Sequence, residues 1–203
     1  MKRLLLTAIL AACATACVDG NNPVQILDAR PLDPSTCERG ELSILRGKLN
    51  FNVNTHYITT FSLFSPLEDS TSGATGAGFY GEEIDYSYEV RKVSVTLKDE
   101  ALPIYFVVAA GSQTDGSFFK LDLIGDEARK KLDSVVPAEP DSLTLLVTIK
   151  LKGKLGSGRA VETNEVTFPI EITRGASCTS GTPVPDAESP CYPGQDGVVF
   201  SCG

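Results

Sequence analysis

The chain has 203 residues, with 18 lysines and arginines against 26 aspartates and glutamates, a net charge of −8. That acidity argues against nucleic-acid partners and against electrostatic adhesion to anionic headgroups, because like charges repel. With no tryptophan, one methionine and one histidine, the chain is also poor in side chains that stack on ligands or bind metals, so no cofactor is expected.

Lys2 and Arg3 precede an apolar run over residues 4–12, and small residues then lead into Cys13 and Cys17. Basic start, apolar core and small-residue cleavage site form an export signal. The run is too short to span a bilayer, which needs about 20 residues. A cysteine directly after small residues resembles a bacterial lipoprotein signal. The resemblance implies cleavage before the cysteine and acylation of its thiol and new amino group, palmitate being the expected kind of chain. Two cysteines compete for this role. Leu10-Ala11-Ala12-Cys13 has a leucine three places before the cysteine, whereas Ala14-Thr15-Ala16-Cys17 leaves a signal of ordinary length. Cleavage before Cys17 also leaves Cys37, Cys178, Cys191 and Cys202, an even set that can pair completely. Cys17 is therefore the preferred lipidation site and Cys13 the alternative. Val18 rather than aspartate follows Cys17, and by the enterobacterial sorting rule the resemblance implies the outer membrane. Each buried methylene of an acyl chain contributes about 0.8 kcal/mol, so two or more chains anchor stably.

Residues 17–40 read as a tether, turn-rich at Asp19-Gly20-Asn21-Asn22-Pro23, with a short edge strand at Val24, Ile26 and Leu27. The body, residues 41–174, is built of period-two segments. Leu42 and Ile44 lie on one parity and Leu49, Phe51 and Val53 on the other, with a bulge suggested at Gly47 and an amide-rich face at Asn50, Asn52 and Asn54. Tyr57, Thr59, Phe61 and Leu63 alternate next, and residues 69–78 carry no apolar period and read as a loop. Ile84, Tyr86, Tyr88 and Val90 form a further run, with a bend predicted at Arg91-Lys92. The continuous apolar run 104–110 reads as a strand buried on both faces. Asp115-Gly116 is a turn before a strand over 118–124. Residues 126–134 predict one short helix, acids first and bases later, with a stripe of Ala128, Leu132 and Val135 and an exposed Arg129-Lys130-Lys131 face. Leu143 to Leu151 and Val166 to Ile172 alternate most clearly. Pro169 cannot donate to a ladder and predicts an edge position for its strand.

About seven or eight strands with turns between them indicate an all-β, immunoglobulin- or fibronectin-like sandwich with one short helix. Residues 175–203 form a cysteine-rich tail, with little apolar period before Val198-Val199-Phe200. Its order is expected to come from disulfides. Four cysteines allow three pairings; Cys37–Cys178 with Cys191–Cys202 is preferred, and Cys37 with Cys191 or Cys202 is the alternative. The division is thus 1–16 signal, 17–40 tether, 41–174 sandwich and 175–203 tail.

Residues 17–26, Asp33-Pro34-Ser35-Thr36-Cys37, the later 164–170 and the three terminal cysteines resemble outer-membrane lipoproteins of myxobacteria and their relatives. That resemblance favours Cys17 and brings no assigned activity with it.

Among site candidates, His56 lacks a Gly-x-Ser-x-Gly partner motif, so a bland histidine is preferred to a hydrolase base. Asp115, Asp122 and Asp126, or Glu82, Glu83 and Asp85, lack a calcium-loop spacing and read as solvated carboxylates. No metal site is expected. Phe79 and Tyr80, with Tyr86 and Tyr88, form the one aromatic concentration. Tyr86 and Tyr88 read as core, and Phe79 and Tyr80 as a recognition surface for glycan or protein beside the loop. The expected function is a non-enzymatic, lipid-anchored module of the cell envelope. It would attach to the membrane through acyl chains and act in surface interaction or envelope assembly. The alternatives are an envelope enzyme acting on glycans through carboxylates and a structural subunit of an envelope complex.

Overall fold

Alternation of apolar and polar residues sets the architecture. Along β7 (Leu143–Leu155) every second residue from Leu143 to Leu151 is fully buried, and the residues between face outward. β7 is the centre of a six-stranded sheet ordered β2 (Gly47–Asn50), β9 (Val166–Thr173), β7, β4 (Phe79–Arg91) and β5 (Glu100–Val108), with β8 (Ala160–Glu162) also paired to β7. A second sheet places β3 (Ile58–Phe64) between β1 (Gln25–Arg30) and β6 (Phe118–Asp122). The tail contributes a small pair, β10 (Pro183–Pro185) and β11 (Phe200–Cys202). These elements come from a computed structural model that describes residues 22–67, 78–111, 117–186 and 191–203.

The fold is all-β and sandwich-like, as the alternation predicts. Aromatic rings bridge the two sheets: Phe61 of β3 meets Phe168 of β9 edge-on at 6.3 Å, and Phe106 of β5 stacks on Phe119 of β6 at 5.6 Å. The helix α1 (Asp126–Leu132) buries Ala128 and Leu132 in the same core. Glu100 accepts the Ala128 backbone N–H at 3.1 Å and so caps its first turn. Lys92, with φ of 76°, makes the bend predicted after β4.

Several expectations are corrected. β5 is not buried on both faces: it is the sheet's edge, and Tyr105 is 84% exposed. Of the expected pair, Leu42 is exposed and lies in no strand, and Ile44 makes only an isolated bridge to Ala29. Instead, residues 31–46 lie over β3, where Arg39 donates to the Ser62 hydroxyl at 2.7 Å. The interior residues of β3 are accordingly buried on both sides. Pro169 is not in an edge strand, since β9 lies between β2 and β7. β2 pairs only from Ile170 onward, so the proline sits where the outer side is still open, which satisfies the same physical requirement. Arg129 is not on an exposed face; it bonds Asp122, Asp126 and the Ile124 carbonyl.

The expected tether joins the body from Val24 onward. β1 pairs with β3 as an edge strand and buries Ile26 and Ala29, with Val24 buried just before it. Its outer side is closed by Asn164, whose side chain accepts the Ile26 N–H at 2.8 Å and donates to the Ile26 carbonyl at 2.9 Å. Within β1, burial opposes the Asp28 charge, but hydrogen bonds from Ser43, Ser62 and Arg30 outweigh it and lower its pKa to about 2. A carboxylate with a lowered folded pKa contributes stability above its unfolded value, and that contribution is lost as pH falls towards 2. Discounted for partial exposure, it is worth about 1–2 kcal/mol. Urea unfolding is expected to find Asp28→Asn less stable than the parent by that amount at pH 6, with the two converging near pH 2.

Candidate functional site

The parallel pairing of β2 with β9 sets Lys48 opposite Glu171 and Asn50 opposite Thr173. These four point outward because the alternate residues Leu49, Ile170 and Ile172 are buried. The connection from α1 to β7 passes beside them. The Thr173 hydroxyl donates to the Asp141 carbonyl at 2.8 Å, and the Ser142 hydroxyl donates to Glu171 Oε1 at 3.0 Å. On the other flank the tail runs along β2. Asn50 N–H donates to the Gly194 carbonyl and Asp196 N–H to the Lys48 carbonyl, bringing Val198, Val199 and Phe200 alongside. Together these segments enclose an open groove of about 500 Å³, a size within the usual range of ligand-binding clefts. Glu139, Asp141 and Glu171 face it with Lys48, against the apolar wall of the tail.

The wall is fastened from beneath. Gln195 is buried, and its side chain accepts the Ile58 N–H at 2.8 Å and donates to the Ile58 carbonyl at 2.6 Å. β1 pairs with β3 only from Thr60 onward, so the amide stands in for a missing strand neighbour. Asp196 is an exposed residue whose carboxylate turns towards the body. It accepts the Lys48 N–H and the Tyr57 hydroxyl, each at 2.8 Å. Burial pushes the Asp196 carboxyl up, and burial together with that carboxylate pushes the Tyr57 phenol far up. The phenol therefore stays a donor. Gln195→Ala strands both Ile58 backbone groups and is expected to destabilise by about 2–3 kcal/mol, measured as a lower urea midpoint at unchanged slope.

The disulfides are Cys37–Cys191 and Cys178–Cys202, with Cα separations of 5.4 and 5.6 Å. The preferred pairing of Cys37 with Cys178 is thereby overturned, and the alternative Cys37–Cys191 holds. Alignment of the tail along β2 carries Cys191 to the 33–37 turn, where its N–H meets the Pro34 carbonyl. Nor does the tail rely on disulfides alone. Asn50 and Asn52 donate to the Ala176 and Gly175 carbonyls, which gives the amide-rich face its role.

Phe79 does not lie on the surface where a recognition role was expected. It is fully buried at the head of β4, packing edge-on against Phe106 at 6.0 Å, while Tyr80 is half-buried. Tyr86 and Tyr88 stack at 6.1 Å, and their hydroxyls bond the Asp122 carbonyl and the Gly125 N–H, so both belong to the core side of the sheet. His56 Nδ1 lies 2.5 Å from Asp122 Oδ2, which also accepts Arg129 at 3.1 Å. This cluster ties the start of β3 to the end of β6 and to α1. Glu82, Glu83 and Asp85 are engaged by Lys154 and Lys152 across the outer face of the sheet. Among the described residues no three His, Cys, Asp or Glu side chains are grouped to hold a metal. Cys13, Cys17, Asp115 and the 69–78 loop up to residue 77 lie outside the described residues.

Sequence reasoning missed the groove. Its one local signal was the apolar triplet Val198-Val199-Phe200 in a polar tail; its carboxylates come from segments with no shared motif. No protein-family model matches the chain, and no curated protein or solved structure matches it significantly.

Proposed function

We propose that this chain is a non-enzymatic, lipid-anchored protein of the bacterial cell envelope, acylated at Cys17 and held at the outer membrane, that works as an interaction or envelope-assembly module. The observation that carries the recognition role is the open groove at the β2–β9 end, walled by a cross-linked tail that leaves Val199 exposed. An exposed apolar residue beside carboxylates, on a rigid frame, suits binding of a partner. The anchor rests on the lipoprotein-like start of the chain, where several acyl chains would give lasting attachment.

Two measurements test this reading. Mass spectrometry of the mature N-terminal peptide from the membrane fraction is expected to give a triacylated species beginning at Cys17; an unmodified peptide from the soluble fraction sinks the anchor. A photo-crosslinking residue at position 199 is expected to capture an envelope component, whereas one at the exposed position 105 does not. Equal capture at both sites, or none at 199, defeats the groove as the recognition site.

The glycan-enzyme alternative has one observation in its favour: Glu139, Asp141 and Glu171 line the same groove. A pair of carboxylates is what glycoside hydrolysis employs. Release of reducing ends from envelope glycans, lost in Glu171→Gln, would establish it.

A further inference from the structure

Resting on the groove as a recognition site, we infer its ligand class: an extended peptide segment of a partner protein in which lysine or arginine lies beside a large apolar residue. Charge is the first argument. Three carboxylates and one lysine line the groove, and Ser142 engages one oxygen of Glu171. Among the described residues, Glu139 and Asp141 have no cation within ion-pair distance. On the outer face of the sheet, by contrast, Glu82, Glu83, Asp85 and Glu162 each meet a lysine, and by the helix Asp122, Asp126 and Asp133 each meet an arginine. The chain thus neutralises its acids within itself at those places and leaves the groove's negative charge to be met from outside. A concave, low-dielectric wall beside such charge focuses the field on an incoming cation.

The apolar side is the second argument. Val199 is 58% exposed, with Val198 and Phe200 half-buried beside it. A purely polar cation would leave this wall in water, and a neutral apolar segment would leave the carboxylates unmatched. A residue pair of both kinds, about 3.3 Å apart along an extended backbone, satisfies the two walls together. Anionic partners are repelled by the same carboxylates.

Fluorescence anisotropy with the full-length protein and three labelled hexapeptides tests the inference. The first alternates two lysines with leucine and phenylalanine, the second replaces the lysines by glutamates, and the third replaces the apolar pair by serines. The first is expected to bind, each of the others at least about tenfold more weakly, and binding is expected to fall as salt rises from 0.15 to 0.5 M. Asp141→Asn with Glu171→Gln, a change that conserves shape and the Ser142 hydrogen bond, should weaken the first peptide about tenfold. Val199→Ser should weaken it about threefold, both variants keeping the parent's thermal midpoint. Equal binding of the lysine and glutamate peptides, or binding indifferent to these substitutions, overturns the inference. Crosslinking at position 199 separates the two levels: capture of a glycan or of an acidic partner leaves the groove as a recognition site and removes the basic peptide as its ligand, while no capture removes both.

Discussion

Gly47→Ala is expected to destabilise the fold by about 3 kcal/mol, through overpacking of a filled core. A methyl built on Gly47 lies 2.2 Å from both the ring carbon and the hydroxyl oxygen of Tyr57. That ring has no room to retreat. Tyr57 is fully buried, rests against Phe168 at 5.7 Å and donates to Asp196. Moving it breaks the contact that fastens the tail, so the groove wall is lost with the stability. Tyr57→Leu alone is expected to cost a similar amount, because it opens a cavity and leaves the Asp196 carboxylate without its donor. The double variant should cost clearly less than the sum, since the alanine methyl then enters space the ring has left. Urea unfolding of the parent, the two single variants and the double variant measures that coupling. Strict additivity would show that Gly47 and Tyr57 do not meet as described.

Removing Cys37–Cys191 by paired serine substitution is expected to destabilise more than removing Cys178–Cys202. The first bridge spans 154 residues and the second 24. In the chain-entropy account the longer loop restricts the unfolded ensemble more, by about 1.5 kcal/mol, on a base of about 3 kcal/mol for the shorter one. Packing reinforces the order, because Cys191 is 3% exposed whereas Cys178 and Cys202 lie near the surface. Thermal unfolding of the two double-serine variants and the parent decides it. Equal midpoints, or the reverse order, would contradict the account. Loss of the first bridge should also weaken whatever the groove binds, since residues 194–200 follow directly from Cys191.

Much of the strand content is legible in the chain. The alternation from Leu143 to Leu151 and from Val166 to Ile172 appears as two strands buried on one face. The acids-then-bases order over 126–134 appears as α1 over Asp126–Leu132, and the break at Lys92 as a bend. Each is a local property, carried by neighbouring residues and a fixed period. The run 104–110 shows where that logic ends. Its apolarity reads as double burial, yet β5 is an edge strand with Tyr105 in solvent. Hydrophobicity reports what a strand tolerates and does not name its neighbours. Phe79 makes the opposite case, an aromatic beside a glycine-rich segment that is fully enclosed because Phe106 packs against it.

The candidate site was almost invisible in advance. Its carboxylates lie at 139, 141 and 171, its lysine at 48 and its apolar wall at 198–200, with no spacing in common. Asn164 and Gln195 were equally silent, although each side chain completes the backbone bonding of a strand far away in sequence.

By itself, then, the sequence determined the all-β character, the short helix at 126–132 and the positions of most turns, because period, propensity and turn chemistry act over a few residues. The tertiary structure alone decided that β2 lies parallel to β9, that Cys37 meets Cys191 rather than Cys178, and that the tail closes one side of a groove. Those outcomes depend on which distant segments come together, and that is settled by the summed burial and hydrogen bonding of the whole chain.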